Sequence, residues 1–264
     1  MYDFKYHRPA TLAEARELHG AAEDAQYMAG GQTLLPSLKL RLAQPSDVID
    51  LAAIADLDYI KAEGDAMVIG AATRHADVAN SADLRAAIPA LADLAAHIGD
   101  PQVRNIGTLG GAIANNDPAS DYPAAVLGLD AVVITDRREI SADDFFTGMF
   151  ETALEAGEIV TAVRFPKPVR AGYAKFPNPA SRYAIVGVLA AETAAGVRIA
   201  VTGAGACVFR AGDMEAALGG TLSSGVELPA LSSEGLNGDM HAGPEYRAHL
   251  VTVMAKRAIA AATR

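Results

Sequence analysis

The chain has 264 residues, 51% of them apolar and 20% charged, which supports one large core or two to three smaller ones. Its 22 Lys and Arg stand against 32 Asp and Glu, and the resulting formal charge of −10 argues against nucleic acid or an anionic membrane as a partner. A single cysteine, Cys207, excludes an internal disulfide and falls short of the four thiolates an iron–sulfur cluster takes, so any such cluster belongs to another chain.

The first five residues lack the basic-then-apolar order of a secretion signal, and no run of about 18 apolar residues occurs, so the chain reads as cytoplasmic and unanchored. Thr11 and Glu14 form a capping-box pair, and Leu12, Ala15, Leu18 and Ala22 follow with the spacing of a helix that covers a sheet. A short strand at 26–28 runs into Gly30-Gly31, and 48–51 reads as a strand of the same sheet. From about residue 56 the texture changes to short strands at 67–70, 131–134 and 158–163. Between the first two, Leu91, Leu94, Ala95 and Ile98 form the stripe of an amphipathic helix. Pro166, Pro168, Pro177 and Pro179 then mark a boundary or crossing segment. Beyond it, 183–192 and 197–201 read as a strand pair around Ala194-Ala195-Gly196, and 214–218 as a helix. A last helix begins near Pro244 and runs to about Ala262. The fold class expected is α+β.

Two glycine-rich loops carry the candidate chemistry: Ala29-Gly30-Gly31-Gln32-Thr33-Leu34-Leu35-Pro36 and Gly107-Thr108-Leu109-Gly110-Gly111-Ala112. Glycine permits positive φ, which turns successive N–H groups into one concavity, and its missing Cβ lets an anion approach the main chain. Each loop therefore reads either as a phosphate cradle, with Thr33 or Thr108 adding a hydroxyl, or as a plain tight turn. Neither has the GxGxxG spacing or a Gly-Lys-Ser/Thr, so a Rossmann or P-loop assignment is disfavoured. The net charge does not oppose a phosphate ligand: a unit charge about 15 Å away in water contributes ~0.3 kcal/mol, against roughly 1.5–3 kcal/mol for one hydrogen bond to a charged group. Directly after the second loop, Asn115-Asn116-Asp117-Pro118-Ala119-Ser120-Asp121 forms a polar cluster in apolar sequence. It suits sugar hydroxyls, or else Asx-turn and cap chemistry around Pro118. The six histidines are scattered and no Cys/His spacing fits zinc, so no metal is expected.

Together, residues 29–36, the run Pro101-Gln102-Val103-Arg104-Asn105-Ile106-Gly107-Thr108-Leu109-Gly110-Gly111 and residues 115–122 closely resemble the FAD-binding (medium) subunit of molybdenum hydroxylases. Residues 145–148, 158–166 and 175–184 are similar to its aerobic carbon monoxide dehydrogenase and xanthine dehydrogenase branch, so the resemblance covers nearly the whole chain. It implies a vanillyl-alcohol-oxidase (PCMH)-type FAD-binding fold. Two subdomains, 1–55 and 56–167, would precede a C-terminal domain, 168–264, with a three-stranded antiparallel sheet and flanking helices. By that resemblance Ala29, Gly30, Gly31, Gln32, Thr33 and Leu34, with Thr108, Leu109, Gly110 and Gly111, wrap the FAD pyrophosphate. Asn115 and Asp121 hold the ribityl or ribose region, Val160 and Lys175 line the flavin, and Tyr183 lies near the isoalloxazine. At 110–113 the chain reads Gly-Gly-Ala-Ile where many relatives have Gly-Gly-Asn-Leu.

The activity implied is electron transfer. Substrate is hydroxylated at a molybdenum–pterin centre in a large subunit, and electrons pass through two [2Fe–2S] clusters in a small subunit to FAD and on to an external acceptor. A dimer of heterotrimers is the implied assembly. No catalytic residue is expected in this chain. A self-sufficient flavin oxidase or reductase on the same fold is the rival reading and would need its own substrate pocket and proton donor.

Overall fold

Short apolar blocks broken by Gly and Pro give short elements, and the computed structural model, which describes residues 1–263, arranges them around three main sheets. The first unit runs β1 (Lys5–His7), α1 (Leu12–Ala21), β2 (Ala25–Met28), α2 (Leu34–Lys39) and β3 (Asp47–Asp50). Its strands are parallel in the order β1-β3-β2. Thr11 Oγ1 accepts from the Glu14 N–H at 3.2 Å, and the Glu14 carboxylate reaches back to the Ala10 N–H at 2.9 Å, one residue before the reciprocal partner of a capping box. Ala15 is buried with Ile49 of β3, and Leu12 and Leu18 pack around them. The strand at 5–7 is an addition to the sequence reading. Lys5-Tyr6-His7 has no apolar alternation and is held by pairing with β3, by Tyr6 donating to Asp50 at 2.6 Å, and by His7 against Asp47 at 2.6 Å.

The second unit contains β4 (Ile60–Glu63), β5 (Ala66–Gly70), α3 (His75–Asn80), α4 (Ala82–Ala87), α5 (Pro89–Ala96), α6 (Pro101–Arg104), α7 (Leu109–Asn115) and α8 (Tyr122–Gly128). It closes with β6 (Val132–Thr135), β7 (Glu139–Ser141), α9 (Ala142–Phe145), the hairpin β8 (Phe146–Gly148) and β9 (Glu151–Thr152), and β10 (Val160–Pro166). Its sheet is antiparallel in the order β4-β5-β10-β6-β7. Leu91, Leu94 and Ala95 lie on α5 and are buried, but so are Ala90 and Ala92. This helix is therefore enclosed on several faces rather than amphipathic, and Ile98 falls beyond its end. Every residue of α8 is buried. Gly128 permits its close contact with the third unit, because a Cβ there would stand 2.6 Å from Leu189 Cδ2.

The third unit runs β11 (Arg170–Pro177), β12 (Ala184–Thr193), β13 (Gly196–Thr202), β14 (Phe209–Arg210), α10 (Gly212–Leu218) and α11 (Pro244–Ala262). Its antiparallel sheet has four strands in sequential order, not the expected three, because Phe209 and Arg210 pair with Val201 and Ala200. The proline-marked segment is itself mostly strand. Pro166 ends β10, Pro168 lies in the connection, and Pro177 sits at the register shift where β11 leaves β12. An edge strand tolerates proline at such a point. On β12, Val186, Val188 and Ala190 join the core under α11, while Leu189 and Ala191 face the core of the second unit. Polar links reinforce that contact. Thr202 Oγ1 lies 3.0 Å from Pro118 O and 2.6 Å from Ser120 O, and Arg198 pairs with Asp143 at 3.0 Å. Among the described residues no helix is long and apolar enough to cross a membrane.

Candidate functional site

A cleft of about 640 Å³ is walled by both glycine loops, the start of β10, the polar run after α7 and the segment before β12. That volume suits a small-molecule or cofactor site. In the first loop, Gly31 takes φ +68°, and the N–H groups of Gly30, Gly31, Gln32, Thr33 and Leu34 donate to no protein acceptor among the described residues. Gln32 and Thr33 are exposed and the other three half-buried, so water meets these donors in the free chain, and five in succession along a cleft are available to an anion. Thr33 precedes α2 without capping it through its side chain, which leaves its hydroxyl free. Gly30 has a different reason to be glycine: a Cβ there would lie 2.2 Å from Ile106 O, so its absence lets the two loops pack against each other.

The second loop has spent all its donors but one, the Thr108 N–H, which bonds no protein acceptor among the described residues. Leu109 N–H bonds Thr73 O at 3.0 Å, Gly110 N–H bonds Ala71 O at 2.8 Å, and Gly111 N–H bonds Thr108 Oγ1 at 3.2 Å. Thr108 thus caps α7, and Leu109 is fully buried in the core rather than on the cleft wall. Gly110 is tight against Ala71, whose Cβ a glycine replacement would meet at 2.5 Å. The two loops are therefore not of one design: the first presents donors and the second shapes the wall against which the first is set.

The polar run also divides. Asn115 and Ser120 line the cleft. Asn116, in the left-handed region at φ +43°, is buried and donates to Gly148 O at 2.8 Å and Glu151 O at 2.7 Å, so it ties the β8–β9 hairpin. Asp117 makes an Asx turn to Ala119 N–H at 2.9 Å. Asp121 lines the cleft, yet its oxygens are taken by Tyr173 OH at 2.5 Å and Lys175 Nζ at 2.9 Å. Burial raises the Asp121 carboxyl above its ordinary value, while the ammonium and the phenol pull against that rise. Lys175 also donates to His97 O at 3.0 Å; it stands behind Asp121 and does not line the cleft. Val160, at the start of β10, is a buried part of the wall. Tyr183 is 46% exposed beside Arg182, a cleft residue at φ +63°.

Several wall residues gave no signal of a site in the sequence. Tyr27 and Met28 belong to the strand read at 26–28, Ile98 to the helix stripe and Arg182 to the family-like stretch 175–184, none of them with a site role, while His75 carries no motif. Glu158 is another. Its side chain is fully buried at the edge of the cleft, held by Arg138 through two contacts of 3.0 Å, by Thr135 OH at 2.7 Å and by the Glu155 N–H at 2.8 Å. Arg138 is the main cause that draws this carboxyl down to about 2. The cleft as a whole offers free N–H donors, amides and hydroxyls, and apolar walls. That set complements a ligand with phosphates, a polyol and a flat ring system.

Comparison with known proteins agrees with that description. Residues 2–168 match the family described as the FAD-binding domain in molybdopterin dehydrogenase. The nicotine 6-hydroxylase medium subunit of Paenarthrobacter nicotinovorans is 37% identical over 97% of this chain and 95% of its own length. The carbon monoxide dehydrogenase medium chain of Hydrogenophaga pseudoflava is 35% identical over 98% of this chain and 96% of its own. A solved structure of the carbon monoxide dehydrogenase from Hydrogenophaga pseudoflava, lacking the Mo-pyranopterin moiety of its molybdenum cofactor, is similar with a TM-score of 0.87 at 34% identity. That match covers 99% of this chain and 98% of that one.

Proposed function

The chain belongs to the family of FAD-binding domains in molybdopterin dehydrogenases, and from that premise we propose that it is the FAD-binding electron-transfer subunit of a molybdenum-containing hydroxylase or dehydrogenase complex. The observation that carries this reading is the run of five unpaired N–H groups from Gly30 to Leu34 on the cleft wall. Bound there, the flavin supplies the electron link between [2Fe–2S] clusters of a partner subunit and an external acceptor. A molybdenum–pterin large subunit is the second partner.

The chain's own residues bind and orient. Residues 29–34 and Thr108 take the pyrophosphate, with Leu109, Gly110 and Gly111 fixing the wall behind it. Asn115 and Ser120 face the ribityl or ribose hydroxyls with free side chains. Asp121 acts as a positioned acceptor whose orientation Lys175 and Tyr173 set. Val160 and Tyr183 provide the apolar and aromatic contacts to the ring. In fold terms we assign residues 1–55 and 56–167 to the two subdomains of a PCMH-type FAD fold and 168–264 to the C-terminal domain. We place the chain in the cytoplasm, in a dimer of heterotrimers.

Purifying the chain alone, recording its visible spectrum and identifying any released cofactor by chromatography tests the reading. FAD should be bound, with no substrate turnover, and the flavin should bleach only when substrate and the partner subunits are supplied. Turnover without partners would instead mean a self-sufficient oxidase or reductase. A chain that stays colourless with FAD added, alone and co-expressed with its partners, would remove the proposal.

A further inference from the structure

One buried group on the cleft wall has no task in the assignment above. His75 opens α3 beneath the second loop, with its N–H donating to Gly107 O at 3.0 Å. The residue is 4% exposed and lines the cleft. Gly107 leaves room for the imidazole, because a Cβ there would stand 2.6 Å from Nε2. On its other side the Tyr122 ring, 5.2 Å away between centroids and tilted by 53°, fixes the plane of the imidazole. His75 Nδ1 is buried without any hydrogen-bond partner. Tyr122 OH is orphaned beside it, and neither atom has surface that a cleft ligand can reach; Nε2, on the side of the cleft-lining Gly107, also bonds no protein group and is the nitrogen left for a partner carried by the ligand. The donor-rich first loop is adjacent, since Gly30 packs directly on Ile106 O and the Gly107 Cα.

Resting on the FAD reading, we propose that His75 is a further ligand-binding residue, whose imidazole N–H donates to a phosphate oxygen of the dinucleotide cradled by the first loop. Burial, with the Arg104 charge adding to it, holds this imidazole down at about 4, so it is neutral at pH 7 and offers one N–H donor without a charge. A neutral donor is what this position accommodates, because an imidazolium would have to be buried next to a guanidinium. The ring stays in place through its packing on Tyr122 and is ready before the ligand arrives.

The test compares flavin-free wild type, His75→Phe and His75→Gln as full chains, each titrated with FAD, with ADP and with riboflavin. ADP carries the pyrophosphate without the flavin, and riboflavin carries the flavin without phosphate. Phe keeps the ring packing and removes both nitrogens, so FAD and ADP should each weaken by about tenfold, the factor of one ordinary hydrogen bond. Riboflavin should be unaffected, and Gln, which keeps a donor, should recover most of the loss. In nitrogen-15-labelled wild type, ADP should shift the His75 imidazole resonances. Equal losses for all three ligands would indicate a packing role and overturn the inference, as would unchanged ADP binding by the Phe variant. Should the Phe variant not fold, imidazole resonances that ADP leaves unmoved would overturn it by themselves. Wild type that binds neither FAD nor ADP would sink the FAD reading first, an outcome separate from wild type that binds while the variants match it.

Discussion

Glu158 is a carboxylate with no exposed side-chain surface, yet Arg138, Thr135 and the Glu155 N–H hold its charged form. Its folded pKa is about 2 against an ordinary 4.5. The sign follows from linkage. A depressed carboxyl gives stability that is fully present above its unfolded pKa and is lost as pH falls through the folded one. The window is therefore pH 4.5 down to about 2, and the contribution is on the order of 3 kcal/mol. Glu158→Gln should flatten the fall in urea-unfolding free energy across that window, whereas a slope equal to wild type would show that Glu158 does not titrate as described. Single residues also mark the limit of the sequence reading. Gly30 and Gly31 stand out as a glycine-rich run after a strand, but the contact that makes Gly30 necessary, with Ile106 O, lies 76 positions away and leaves no local trace. His75 is a lone histidine in an unremarkable stretch, and only the folded neighbourhood of Gly107 and Tyr122 gives it meaning.

At the level of elements, Asp121 at the start of α8 and Lys175 on β11 join the second unit to the third through a pair whose side chains are 4% and 3% exposed. Removing one partner of a buried pair leaves the other charge uncompensated and costs about 3–5 kcal/mol, while replacing both with neutral groups of like size costs far less. Lys175→Met and Asp121→Asn should each lower the urea midpoint strongly, and the double variant should be more stable than the sum of the single losses implies. Strictly additive losses would mean that the two residues act separately. Which elements were legible depended on how local their cause is. The Thr11 half of the α1 cap, the β12–β13 hairpin and α11 follow from nearby spacing and match the sequence reading, while the Glu14 arm of the cap reaches Ala10 instead of Thr11. Strand β1 owes its existence to pairing with β3, and β11 was hidden by prolines that an edge strand accepts at its end. The stripe on α5 was real, but burial on its other faces comes from α3, α4 and β11, which local periodicity does not reveal.

Across the whole molecule the three textures of the sequence correspond to three sheets, but the way those sheets share a core is a tertiary property. The largest core cluster includes Leu189, Ala191 and Ala200 from the third unit, packed with Leu91, Tyr122 and Val126 from the second. Helix α8 is buried along its whole length and packs on β12 and β13, so part of its cover comes from beyond residue 168. A fragment ending at 168 keeps the entire stretch that matches the FAD-binding family, yet it exposes that apolar helix and strips Asp121 of both Lys175 and Tyr173. Exposing such a face favours association, and an unpaired buried carboxylate adds its own penalty. Residues 1–168 expressed alone should therefore aggregate or lose cooperative unfolding, while the full chain melts in one calorimetric transition. A soluble fragment that unfolds cooperatively and holds FAD as tightly as the full chain would show instead that the third unit is an attachment, and that the cradle built by the first two is complete without it.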